Sequence, residues 1–205
     1  MTSPRRRVGR GPSRRSFLVL IEGQQTEDAY LLFWKRRLRR EALIEISDFH
    51  GTPMSLVEKA VELKTKEARE ERRGRGAAHD EYWCVFDVDT HPYLAEAIEL
   101  ASKHGINLAI SNPCIELWFL LHFTDQTAYI NCRDATRAVS GETGAGKDLT
   151  PDALDALGEN FEVAKERAQH LEKKHRGDGT PSPGNPSSGV WRLIDAMHQG
   201  SSASS

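Results

Sequence analysis

The sequence predicts an α/β fold: a Rossmann-like three-layer domain with a mostly parallel central sheet, followed by a helical carboxy-terminal extension. Three observations carry that expectation. Four short apolar runs, FLVLIEG, ALIEISDFH, YWCVFDVD and INLAISNP, recur along the first 113 residues. Segments with helical periodicity separate them, the pattern of βαβ units and hence of a parallel sheet. A chain of 205 residues is long enough for one sizeable core and short for two.

SFLVLIEG (16–23) is continuous, rich in branched residues and stopped by glycine, as expected of a strand buried on both faces. A helix beginning near Thr26, a candidate N-cap, follows with Tyr30, Leu31, Phe33, Trp34 and Leu38 as its apolar positions. ALIEISDFH (42–50) alternates and predicts a less buried second strand. GTP punctuates the chain before a long helix whose apolar stripe, Leu56, Val57, Ala60, Val61 and Leu63, fades into charge around Arg69–Arg75. YWCVFDVD is the third strand. The helix after Pro92 carries Leu94, Ala97, Ile98 and Ala101, and Gly105 ends it. INLAISNP (106–113) is the fourth strand, and CIELWFLLHF is a very apolar helix.

The domain organisation read from these patterns has four parts. Residues 1–15 are a disordered basic arm, and 16–123 are the α/β core. Residues 124–198 are a loop and helical extension packed on that core, and 199–205 are a disordered tail. Within the extension, TAYINCRDATRAVSGETGAGKDLT reads as a glycine-rich polar loop. Helix follows over 151–175, RGDGTPSPGNPSSG is a loop, and VWRLIDAMHQG is a final docking helix.

The net charge of −2 conceals an asymmetry, because Arg5, Arg6, Arg7, Arg10, Arg14 and Arg15 fill the first fifteen residues with no acid among them. Such an arm suits phosphate backbones, with Arg14 and Arg15 nearest the core, or it is a solvated leader. No stretch approaches the roughly 20 apolar residues of a membrane span, and no h-region follows the arm. A cytoplasmic protein without membrane association is expected. Cys84, Cys114 and Cys132 are odd in number and widely spaced, so neither a disulfide framework nor a structural zinc site is expected.

Asp87 and Asp89 lie two apart at the end of a strand, where side chains share a face. Open parallel sheets bind ligands at the carboxyl ends of their strands, and Glu22 occupies that level at the end of the first. If the first and third strands are neighbours, the three carboxylates converge, and a hard cation such as Mg²⁺ or Mn²⁺ relieves their repulsion. The other reading makes the aspartates helix caps or turn residues. Glu116, set among apolar residues after Ser111 and Asn112, borders the same crevice or completes a capping box. GETGAGKD has Walker A spacing, but Asp148 stands where a hydroxyl is needed and no apolar strand precedes it. Lys147 remains a phosphate contact or a solvated lysine. Trp34, Trp118 and Trp191 have core spacing.

FLVLIEGQQTE, YWCVFDVD and SNPCIELWFLLHF, in this order and at this spacing, resemble the RloB-like family, whose fold is similar to that of Toprim domains. The resemblance runs from about Ser16 to His198, with GKD (146–148) and NPSSGVWRL as weaker late motifs. Toprim domains of topoisomerases, primases and the overcoming-lysogenization-defect nucleases use a glutamate after the first strand and DxD after the third. Onto this chain these map as Glu22, Asp87 and Asp89. The resemblance further implies Glu116 and Lys147 as catalytic candidates, and Thr26, Glu27, Asn112 and His122 as substrate contacts. Members of the family often have a charged residue in place of Gln24 or Gln25, a small departure that does not touch the three carboxylates. A neighbouring-gene ATPase in an anti-phage defence locus is the partner the resemblance implies.

The leading expectation is a Mg²⁺- or Mn²⁺-dependent nuclease acting on RNA or DNA. A non-catalytic nucleic-acid-binding or adaptor subunit and a small-molecule phosphohydrolase are the alternatives. Stoichiometry stays open, a homo-oligomer included.

Overall fold

The first strand, β1 (Arg15–Ile21), is the axis of the sheet. The computed structural model of the chain describes residues 14–23, 25–88, 92–144 and 149–201, so most of the basic arm, Asp89 and Lys147 lie outside the described residues. With β2 (Ala42–Ile46), β3 (Glu81–Asp87), β4 (Asn107–Asn112) and β5 (Ser187–Ser188), β1 forms one sheet in the order β2-β1-β3-β4-β5. The first four strands run parallel, and β5 pairs antiparallel to β4. The chain has the expected α/β architecture: a mostly parallel sheet between helical layers, with carboxy-terminal helices.

Alternation along the strands assigns the two cores. Phe17, Val19 and Ile21 of β1, Trp83 and Val85 of β3 and Ala109 of β4 face one side. There they meet α1 (Thr26–Arg37), α4 (Ile115–Leu121), α7 (Phe161–Gly177) and α8 (Val190–His198). Leu18, Leu20, Tyr82, Cys84 and Phe86 face the other, against α2 (Pro53–Arg72) and α3 (Leu94–His104). β1 and β3 therefore carry no polar side chain between Phe17 and Ile21 or between Tyr82 and Phe86, as a strand covered on both faces requires.

Helix boundaries follow local chemistry. Thr52 caps α2 by accepting the Ser55 N–H, and Pro53 occupies its first turn. Gly105 ends α3 in the left-handed conformation, φ +63°, a region that glycine enters without steric cost. At α1 the cap position belongs to Gln25 and Thr26 is already helical, so the expected Thr26 cap is displaced by one residue.

α4 is apolar all round because it is buried all round, and all of its residues except Glu116 are buried. The sheet covers one side, and α7 and a helix that sequence reading missed, α5 (Cys132–Thr143), cover others. Residues 132–143 were expected as loop. The Asn131 side chain accepts the Asp134 N–H, which starts the helix, and Ala135 and Val139 form its short buried stripe. α6 (Pro151–Glu159), capped by Thr150, packs near α1. The expected loop before α8 also ends in structure, because Ser187 and Ser188 pair with Asn112 and Ser111.

Tyr30 ties the first helix to the buried one: the Trp118 indole N–H donates to its hydroxyl at 2.8 Å, with both side chains essentially unexposed. Removing the acceptor strands a buried donor. Tyr30→Phe should lower the unfolding free energy by about 1–3 kcal/mol, read from urea midpoints, with the far-ultraviolet circular dichroism unchanged.

Candidate active site

The β1–β3 pairing extends one residue past β1, since the Glu22 N–H donates to the Val85 carbonyl at 3.0 Å. Glu22 is thereby held beside the end of β3. Its carboxylate reaches across, and Oε2 accepts the Asp87 N–H at 3.3 Å. The expectation that Glu22 and Asp87 meet at the carboxyl edge of the sheet depended on adjacent first and third strands, and the strand order supplies that adjacency.

Two further carboxylates close on the same spot. Glu27, in the first turn of α1, and Glu116, in the first turn of α4, both act electrostatically on Asp87. Burial comes first, and the negative charges of Glu27, Glu116 and Glu22 add to it, pushing the Asp87 carboxyl from its ordinary 3.8 up to about 8. The N–H of Ile115 opposes this by donating to Asp87. Glu27 is also raised, by burial first and then by Glu116, Glu22 and Asp28. Among the described residues, no lysine, arginine or histidine forms an ion pair with Asp87, Glu27 or Glu116. Carboxylates gathered so that each raises the proton affinity of its neighbours are the setting in which a cation binds.

Gly23 makes room for this arrangement. The Glu27 carboxylate lies where a Cβ on residue 23 would stand. The glycine after Glu22 therefore both stops the strand and lets α1 bring its first acid to the cluster.

The α4 amino terminus corrects another expectation. Its N-cap is Cys114, which makes no side-chain capping bond, so Glu116 is not half of a capping box with Ser111 or Asn112. Asp87 instead satisfies the first helical N–H from a different strand. Asn112 points its amide to the Pro183 carbonyl, 2.8 Å away, and helps hold the segment that leads into β5.

Cys114 and Cys132 form a disulfide with Cα atoms 5.6 Å apart, contrary to the expectation of no disulfide. Their separation of 18 residues carries no recognisable spacing, and only the packing of α5 on α4 brings them together. The Cys132 sulfur lies 3.9 Å from Glu116 Oε2. Cys114, Glu116 and Cys132 offer ligand atoms all within 4.8 Å of one another, a candidate metal-coordinating group. The oxidised sulfurs are occupied by each other, and thiolate ligation belongs to the reduced form. Cys84 is a buried free thiol whose pKa burial pushes up to about 12.

Other candidates fall away from the cluster. His122 is a core residue, 2 % exposed, with Nδ1 2.8 Å from the Trp118 carbonyl, and burial depresses its pKa to about 4. Arg14 and Arg15 stand at the amino-terminal edge, the length of a seven-residue strand away, about 20 Å. Arg14 donates to the Arg39 carbonyl, and Arg15 pairs with Glu81. Thr26 opens α1 next to Glu27. The GETGAGKD segment begins inside the last turn of α5, with Gly144 closing that helix. No strand leads into it, as a Walker A loop requires. Sequence reading missed His50, whose Nδ1 lies 3.2 Å from the Ile21 carbonyl beside Glu22. Its place after β2 in a run ending at Gly51 was the available signal.

A family model described as RloB-like protein matches residues 17–197. The chain belongs to the RloB-like family. The match takes in β1 from Phe17 onward, the other four strands and all but the last residue of α8, so the RloB-like unit includes the carboxy-terminal helices along with the first four strands. No curated protein matches the chain. Among the described residues no helix is long and apolar enough to cross a membrane.

The electrostatics of Asp87 set a pH dependence for the metal-free protein. The folded state keeps its proton up to about pH 8, whereas the unfolded chain releases it near 4. The folded state binds more protons between these values, so stability falls as pH rises through that window. Urea midpoints from pH 5 to 8.5 should decline for the native chain and decline less for Asp87→Asn, measured in EDTA.

Proposed function

We propose that the chain is a divalent-cation-dependent nuclease that hydrolyses phosphodiesters of RNA or DNA. The observation that carries this reading is the meeting of Glu22 and Asp87 through a 3.3 Å hydrogen bond, with Glu27 and Glu116 raising the cost of ionising Asp87.

Glu22, Asp87 and Asp89 are the residues that would hold Mg²⁺ or Mn²⁺, with Glu116 beside them. The donor set fits: hard oxygens around a partly buried point of excess negative charge suit these cations. The bound ion supplies neutralisation of phosphate charge and acidification of a water. Glu27, with its proton affinity raised by burial first and then by Glu116, Glu22 and Asp28, is suited to hold a proton beside the cluster. Lys147 and Thr26 remain the proposed phosphate contacts from this chain. His122 is left out, because its ring is committed to the core. Arg14 and Arg15 are assigned to the flanking backbone of a long substrate, since phosphate contacts position a strand without reading its sequence.

The family resemblance adds a bacterial anti-phage defence setting and an ATPase partner to this proposal. A nuclease that is toxic to its own cell needs such a control.

The test uses the purified chain with its neighbouring ATPase, single-stranded RNA, transfer RNA and DNA, and Mg²⁺ or Mn²⁺. At least one polymer should be cleaved, and EDTA should abolish the cleavage. Asp87→Asn should lower the rate more than about 100-fold, beyond what loss of an outer-shell partner costs, while the protein stays folded. Full activity in Asp87→Asn would remove the carboxylates from the chemistry. Phosphate release from mononucleotides with polymers intact would identify a small-molecule phosphohydrolase instead.

A further inference from the structure

The Cys114–Cys132 disulfide stands against the carboxylate cluster. Cys114 is the N-cap of α4, Ile115 follows with the N–H that Asp87 accepts, and Glu116 is one of the acids acting on Asp87. Cys132 opens α5, and its sulfur lies 3.9 Å from Glu116 Oε2. A disulfide sulfur carries no proton, so this contact gives the Glu116 oxygen no hydrogen bond. No other group among the described residues donates one to it.

The two sulfurs differ in access. Cys114 is 4 % exposed, whereas Cys132 lies at the surface. A thiolate from solution reaches Cys132 and displaces Cys114 from it. With a dithiol reductant the first sulfur bonds Cys132 while Cys114 leaves, and the second sulfur then displaces Cys132. Two electrons and the two protons of the dithiol end on the cysteines, and the reductant ends as its own disulfide.

Reduction turns the same three side chains into a ligand set. Ligand atoms of Cys114, Glu116 and Cys132 already lie within 4.8 Å of one another. Around a tetrahedral zinc ion two sulfurs stand about 3.8 Å apart, and a sulfur and a carboxylate oxygen about 3.6 Å. Freed of their bond, the sulfurs reach the first spacing by rotation of the exposed Cys132 side chain, over Cα atoms 5.6 Å apart. The distance of 3.9 Å from Cys132 to Glu116 is already close to the second. Thiolates select Zn²⁺, whereas Mg²⁺ and Mn²⁺ prefer oxygen ligands.

We propose that the Cys114–Cys132 pair is a redox-gated zinc site that shares Glu116 with the carboxylate cluster. Oxidised, the pair is a disulfide and leaves Glu116 to the cluster. Reduced, it binds Zn²⁺ with Glu116 as third ligand and water as fourth, and it draws that acid away. The two thiols release their protons as the metal binds. The zinc site stands on these three side chains alone, and its effect on the cluster rests on the reading of Glu22 and Asp87 as the hard-metal site.

Zinc titration of the full chain against a chromophoric chelator tests the gate. One sample is reduced with dithiothreitol and desalted without oxygen, and the other is oxidised. The reduced chain should stay folded by circular dichroism and take one equivalent of zinc at least about 100-fold tighter than the oxidised chain. Cys132→Ser, a small change at an exposed position, should remove that equivalent. Glu116→Gln should weaken it about tenfold or more, and Asp87→Asn should retain it. Co²⁺ should give a sulfur-to-cobalt charge-transfer band in the reduced chain only. With free zinc buffered where the native reduced chain fills and Cys132→Ser stays empty, Mn²⁺ binding read by electron paramagnetic resonance should weaken severalfold in the former alone. Equal zinc affinity in both redox states, zinc retained by Cys132→Ser, affinity undiminished in Glu116→Gln, or unfolding on reduction would each overturn the site. Mn²⁺ affinity indifferent to zinc would overturn the sharing of Glu116. Failure of Mn²⁺ to bind even the zinc-free chain would instead count against the carboxylate reading, and the zinc titration would still decide the gate.

Discussion

The parallel pairing of β1 with β3 is the constraint on which the rest of the structure depends. Each strand is buried on both faces, so neither can shift register without turning apolar side chains out of both cores at once. Their register sets Ile21 beside Val85, and one further ladder bond holds Glu22 where its carboxylate meets the Asp87 N–H. The packing free energy of two cores thus holds together two acids that repel each other. That is how a fold can keep a charge cluster that would disperse in solution.

The helices complete the cluster by where they begin. α1 and α4 both start at the carboxyl edge, as the helix after each parallel strand must, and their first turns carry Glu27 and Glu116. A carboxylate in a first turn is favoured by the helix dipole, which offsets part of the repulsion. Asp87 takes the Ile115 N–H and joins the third strand to the helix that follows the fourth. Burial still dominates, and it holds the proton affinity of Asp87 high.

The carboxy-terminal helices are structural partners of this arrangement. α7 and α8 share the core that contains α4, and β5 closes the β4 edge. The Ser111–Ser188 hydroxyl contact at 3.0 Å and the Asn112–Pro183 bond at 2.8 Å tie the end of β4 to the 183–188 segment. An RloB-like unit cut off after α4 would leave that helix uncovered on the sides that α5 and α7 pack against.

The strands, the helices between them and the acids Glu22 and Asp87 were legible in the sequence because each rests on local periodicity or on a residue at a strand end. The helix at 132–143 was not, since only Ala135 and Val139 of its residues are buried and glycine-rich sequence follows it. What the sequence by itself determined was the alternation of doubly buried strands with helices, and therefore an edge at which acids can gather. Tertiary structure alone decided that Glu27 and Glu116 join that gathering, that Cys114 finds Cys132, that His122 turns into the core, and that the arginines Arg14 and Arg15 stand at the far edge. Each of those outcomes depends on which elements pack side by side, a relation between segments distant in the chain that no local pattern of residues encodes.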